Sequence, residues 1–180
     1  MSAIDAINWA ALGADLGRIG LAMLLGGLIG AEREYADKPA GFRTHTLTAG
    51  AAALVVSLSY SLVNQIGAGT LEQIRADPFR VLEAIITGVS FIGAGTIIRR
   101  PKENAVDGLT TAASLLFAAV IGMGVALQEI PLAVASTLLV LMILWGLRLI
   151  QRLLRRSASF VRHRASHVRG VDAGESPSPR

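Results

Sequence analysis

Glu32, Arg33, Glu34, Asp37, Lys38, Arg43 and His45 crowd into fourteen residues between two long apolar runs. If the chain has a chemical site, this polar island is the first place to look. Hard cations such as Mg²⁺ prefer carboxylate and water oxygens, and Glu32 together with Asp107, at the start of a later apolar run, could supply them. Arg33, Arg43, Arg99 and Arg100 oppose that use, because they repel a cation unless the acids neutralise them. A closed Glu32–Arg43 ion pair pinning the loop is the competing arrangement, and both stay open. The lone His45 and the scattered acids form no nucleophilic site. Walker, GxGxxG, HExxH and CxxC patterns are absent, and the chain has no Cys. The expectation is a non-enzyme with no resident cofactor, Mg²⁺ aside.

Two further polar stripes interrupt the apolar runs. Glu83, Thr87, Ser90 and Ala94 share one helical face, and an ionisable group within a membrane span marks by default a pathway, a relay or a partner. The alternative is a plain Arg80–Glu83 pair at the membrane edge. Asp107, Thr110, Thr111 and Ser114 fall at i, i+3, i+4 and i+7, making one polar face from the start of the next run. There Asp107 could also serve as a solvated helix-start residue favoured by the dipole, and the hydroxyls could bond back to their own helix. Ala22, Gly26 and Gly30, like Gly88, Gly93 and Gly95, let helix backbones approach closely.

These residues need elements to hold them, and the composition points to a membrane. The chain is 52% apolar and only 17% charged, where soluble domains carry about a quarter charged residues. A bilayer core needs roughly 20 apolar helical residues, and five segments qualify: Leu12–Ala31, Thr46–Ile66, Phe79–Ile98, Ala105–Leu127 and Leu132–Ile150. No Lys or Arg precedes Arg18, so the first run is expected to be a retained helix rather than a cleaved leader. Lys and Arg concentrate in the first loop, the third loop and the C-terminal segment, which by the positive-inside rule gives N-out, C-in. The fold class is therefore an all-α membrane protein, a bundle of five transmembrane helices over residues 1–150.

Residues 151–180 read as a basic cytoplasmic tail, amphipathic and then disordered. Residues 148–180 hold eight Arg against Asp172 and Glu175, while the preceding residues carry a small net negative charge. The pI near 10.3 thus belongs to the tail, and nucleic acid is not an expected partner. The tail suits an anionic lipid surface, or serves simply as a positive-inside anchor.

Four motifs then appear in order: Leu24-Leu-Gly-Gly-Leu-Ile-Gly-Ala-Glu-Arg, Ala40-Gly-Phe-Arg-Thr-His, Ser90-Phe-Ile-Gly-Ala-Gly-Thr-Ile and Gly108-Leu-Thr-Thr-Ala-Ala-Ser. Together they closely resemble the MgtC/SapB family of bacterial membrane proteins over about residues 16–147. The resemblance implies a multi-pass protein of the bacterial inner membrane, tied to magnesium limitation and virulence. It implies small regulators linked to membrane potential and ATP-synthase inhibition, with Mg²⁺ or ion carriage as the alternative. Partners would be an ATPase or ATP synthase, or another copy of the chain. The family motif falls here on Glu32, Arg33, Gly41, Arg43, Thr44, Gly93, Gly95, Gly108, Leu109 and Thr110. His45 stands where some relatives have Asn, and Leu116-Phe117 where relatives often have Trp. Virulence-type members carry a soluble C-terminal domain where this chain has only the basic tail, which puts regulation through that domain in doubt.

Overall fold

The structure, a computed structural model, describes residues 9–66, 78–100 and 105–149. Five helices carry it: α1 Trp9–Tyr35, α2 Phe42–Ile66, α3 Pro78–Gly95, α4 Leu109–Ala126 and α5 Ile130–Leu149. By length and composition α1, α2 over Phe42–Val63, α4 and α5 are able to cross a membrane. The chain is a multi-pass helical membrane protein by that measure. It divides into two units between Leu141 and Met142, and the packing described below lies within the first. The basic amphipathic and polar segments expected over 151–180 lie outside the described residues.

Alanines share the helix contacts with Ile29, Leu115 and Val125, while many large apolar side chains face outward. Leu24, Leu28, Leu54, Leu58, Phe117 and Leu138 point outward, whereas Ala22, Ala49, Ala53, Ala118 and Ala119 are buried. Small residues inside and large ones outside suit a lipid solvent, where helices associate by close backbone packing rather than by hiding leucine. α1 packs on α2, both pack on α4, and α3 leans mainly on α4. At Gly122 of α4 a Cβ would collide with the carbonyl oxygen of Ala49 on α2. At Gly30 of α1 it would lie 2.8 Å from the Gly41 oxygen and 2.9 Å from His45 Cβ.

Two helices stop by the same device. After α1, Lys38 N–H donates to Arg33 O and Asp37 N–H to Glu34 O, with Asp37 at φ 53. After α4, Glu129 N–H donates to Gly124 O and Gln128 N–H to Val125 O, with Gln128 at φ 66. Both are Schellman closures in which a left-handed residue turns the last carbonyls onto following amides. Pro39 follows shortly after the first, where a helix cannot continue, and Pro131 falls in the first turn of α5, where its missing N–H is no loss.

One expectation is corrected here. The fourth helix does not begin at Ala105, because Ala105–Asp107 form a strand antiparallel to Ile98–Arg100 with Ile98 opposite Asp107. The third apolar run likewise ends its helix at Gly95 rather than Ile98. The chain reverses through this hairpin, and Gly108 at φ 93 then opens α4. A Cβ at Gly108 would collide with the Thr96 carbonyl oxygen, so neither its backbone conformation nor its surroundings admit a side chain. The main-chain ladder of this hairpin, Ile98 to Asp107, Arg99 to Val106 and Arg100 to Ala105, takes the place of the helix that the apolar run suggested.

Candidate functional site

The polar interior gathers around His45. This residue lies in the first turn of α2 and has 0% exposure. Its Nδ1 lies 3.0 Å from the Gly41 carbonyl oxygen, one turn back on its own chain. A carbonyl only accepts, so Nδ1 carries a proton and donates. Nε2 lies 2.9 Å from Ser114 Oγ on α4, and Ser114 Oγ lies 2.9 Å from the Thr111 carbonyl oxygen. Two proton arrangements satisfy this chain. With a neutral ring, Ser114 donates to Nε2. With a charged ring, Nε2 donates to Ser114, whose hydroxyl then donates to Thr111 O.

The ring is held because α1 leaves room for it. Gly26 and Gly30 present bare backbone to the turn of α2 that carries His45. Close helix contact and the buried imidazole are therefore one feature, since a side chain at Gly30 would displace His45.

The loop between α1 and α2 closes differently from the expected ion pair. Arg43 is exposed and makes no ion pair among the described residues, so the expected Glu32–Arg43 pair is absent. Glu32 instead takes the Nε–H of its neighbour Arg33 at 2.7 Å, and both side chains are nearly buried, at 11% and 6% exposure. Glu34 Oε2 accepts the Phe42 N–H at 2.8 Å, placing a carboxylate on the positive end of α2. Nothing in the pattern singled out Glu34. Its signal was the spacing from the end of one helix to the start of the next, which becomes visible only once both boundaries are known.

The remaining candidates separate. Thr111 is buried beside Ser114, whereas Thr110 is exposed. Asp107 is exposed at the end of the hairpin, so it shares no α4 face with them as the i, i+3, i+4, i+7 spacing implied. Thr44 sits half-buried, its carbonyl accepting the Thr48 hydroxyl at 2.8 Å. Gly93 is buried with Ala112 Cβ 3.3 Å from where its own Cβ would lie, while Gly95 faces open space. Glu83 is exposed on α3. Neither it nor Arg80 makes an ion pair among the described residues, so the expected Arg80–Glu83 pair is also absent. No group of three or more His, Asp or Glu placed to hold a metal occurs among the described residues. On α2 the Thr46 and Ser57 hydroxyls are buried without a hydrogen-bond partner among the described residues.

Comparison with known proteins agrees with the motif order. An uncharacterised protein of Haemophilus influenzae is 36% identical over 138 residues, covering 77% of this chain and 57% of its own length. YhiD of Escherichia coli K12, whose name assigns it provisionally to magnesium transport, is 37% identical over 128 residues, 71% of this chain and 57% of that protein. Protein MgtC of Salmonella typhimurium LT2 is 38% identical over 120 residues, 67% of this chain and 46% of that protein. The chain thus spans about half the length of the curated relatives it matches. No solved structure matches it. The MgtC family matches over residues 19–153, which takes in α1 from Ile19 onward, α2 to α5 and the His45 cluster, and the chain belongs to that family.

Proposed function

We propose that the chain is a non-enzymatic regulator of the bacterial inner membrane, acting under magnesium limitation through contacts with another membrane complex such as an ATP synthase. In this reading α3 is the fifth span, the chain runs N-out and C-in, and the basic tail lies on the anionic cytoplasmic face.

One observation supports it above the others: the ionisable groups Glu32, Arg33, Glu34 and His45 around the α1–α2 turn are bonded to their neighbours, whereas the buried groups left over among the described residues are two hydroxyls, Thr46 and Ser57. His45 uses both ring nitrogens on Gly41 and Ser114, Glu32 binds Arg33, and Glu34 caps α2. What such an interior offers another molecule is the surface of its helices. Glu32 and Asp107 stay as candidate Mg²⁺ ligands only within the alternative reading, an ion carrier. That alternative is favoured by the His45–Ser114–Thr111 chain with its two proton arrangements, and by the name of YhiD.

Liposomes holding the purified protein separate the two. The regulator reading expects no Mg²⁺ or proton flux above empty liposomes. In membranes of magnesium-starved cells it also expects crosslinking to a subunit of a membrane ATPase. Flux that Glu32→Gln, Asp107→Asn or His45→Ala abolishes would overturn it and establish the carrier.

A further inference from the structure

One polar stripe runs along α3 among exposed apolar residues of the same helix, Phe79, Ile86, Phe91 and Ile92. Arg80, Glu83, Thr87, Ser90 and Ala94 are all exposed, and they follow one another at spacings of three, four, three and four. That is the seam spacing of a coiled coil. It flanks the side that packs inward, where Val89 and Gly93 are buried. On the other helices Thr48, Ser59, Ser114 and Thr137 bond back to their own turns, though Thr46 and Ser57 on α2 do not. The hydroxyls of Thr87 and Ser90 make no hydrogen bond among the described residues. Arg80 and Glu83, one turn apart, likewise make no ion pair among them. α3 has 18 residues, about 27 Å at 1.5 Å per residue, and lies against α4. Resting on the reading of α3 as a span, this stripe would face lipid, where unpaired charge and hydroxyls are costly.

We propose that a second copy of this chain covers it, the two α3 helices pairing about a two-fold axis normal to the membrane. The seam is self-complementary. It carries one cation and one anion on adjacent layers. A two-fold sets each residue beside its own copy and brings Arg80 of each copy to Glu83 of the other one layer away, so the four charges form one neutral cluster with the reciprocity of an isologous interface. Helical side chains lean toward the N-terminus, which carries Glu83 back toward the layer of the opposing Arg80. Thr87, Ser90 and Ala94 are small enough for close approach, and the two hydroxyls can bond across the interface. A purely apolar partner would leave the two charges only each other, on one helix, and a partner of single sign would leave one unmatched.

The chain has no Cys, so a thiol introduced by Thr87→Cys can form a disulfide only with another copy. In native membranes under mild oxidation, Thr87→Cys should give a dimer band well above that of Leu138→Cys, which places a thiol on exposed α5. In the Thr87→Cys background, Glu83→Arg or Arg80→Glu should each lower the crosslinked fraction about tenfold, as two ion pairs are lost together. The double swap Arg80→Glu with Glu83→Arg should restore it. Wild type in mild detergent should scatter light as twice 18.9 kDa.

Crosslinking no greater than the Leu138→Cys control, or indifferent to both charge reversals, overturns the proposal. A membrane-impermeant maleimide tells this failure from failure of the span. A thiol at position 87 that labels as fully as one in a loop removes both the span and the dimer. A protected thiol in a chain of single mass removes the dimer alone and means that another segment or another protein covers the face.

Discussion

The interior between α1, α2 and α4 and the outer face of α3 use the same residue types to opposite effect. Around His45, an imidazole, a serine and main-chain carbonyls are sealed among alanines and glycines, each polar atom meeting another. Along α3, an arginine, a glutamate and two hydroxyls stand exposed and unbonded among the described residues. Polarity on these helices therefore takes two forms, a closed internal joint and an exposed stripe. Substitutions in the first should cost the fold of a single chain, and substitutions in the second should not.

The largest expected effect comes from placing bulk where two backbones touch. Gly122→Leu drives a side chain into the Ala49 carbonyl and forces α4 from α2, costing about 3 kcal/mol or more by the usual penalty of overpacking. Gly88→Leu on α3 adds the same atoms where nothing lies within 4 Å. Thermal unfolding in detergent should show the first variant melting far earlier and the second unchanged. Equal melting of the two would break the contrast at its root.

Next is the joint itself. His45→Ala removes a fully enclosed ring, and the cavity with the lost hydrogen bonds should cost about 2–3 kcal/mol. Ser114 is not orphaned, because its hydroxyl keeps the Thr111 carbonyl. His45→Asn keeps an N–H within reach of Gly41 and should recover about 1 kcal/mol of that. Glu83→Gln on α3 should shift the same melting curve by less than about 0.5 kcal/mol. A Glu83 effect as large as that of His45 would show α3 to be part of the same closed core.

Much of this division was legible in the residues, and the gaps have physical causes. Long apolar runs locate helices well, since lipid leaves the backbone little choice. The small residues Ala22, Gly26 and Gly30 indicated close packing, and that face is where His45 sits. The pattern failed where one apolar run hid a change of period: Ala105 and Val106 read as helix but pair with Ile98–Arg100, and Asp107 was drawn onto the wrong face with them. It failed again at the loop. Opposite charges suggested Glu32 with Arg43, whereas the α2 amide at Phe42 recruits Glu34. Charge pairing is visible in a sequence; the orphan amides of a helix end are visible only when its first residue is known.

The hairpin offers a smaller effect with a separate origin. Gly108→Ala puts a Cβ on a left-handed residue against the Thr96 carbonyl, which should cost about 1–2 kcal/mol. Gly95→Ala, at the end of α3 with open space around it, should be neutral or slightly stabilising. The same melting experiment ranks the two.

The smallest expected effect tests whether the interior is as finished as the His45 cluster suggests. Thr46 is one residue beyond His45 on α2, and its buried hydroxyl has no partner among the described residues. Valine keeps its shape and replaces the hydroxyl with a methyl group. If that oxygen is idle, Thr46→Val exchanges a desolvated polar atom for an apolar one and should be neutral or stabilising, within about 0.5 kcal/mol. Ser114→Ala, of similar size in atoms, removes a hydroxyl that His45 uses and should cost about 1–2 kcal/mol, since it leaves the ring nitrogen bare. A Thr46→Val loss matching that of Ser114→Ala would mean the Thr46 hydroxyl is bonded in the membrane by a group from outside the chain. The line between closed core and open face would then run through α2 rather than along α3.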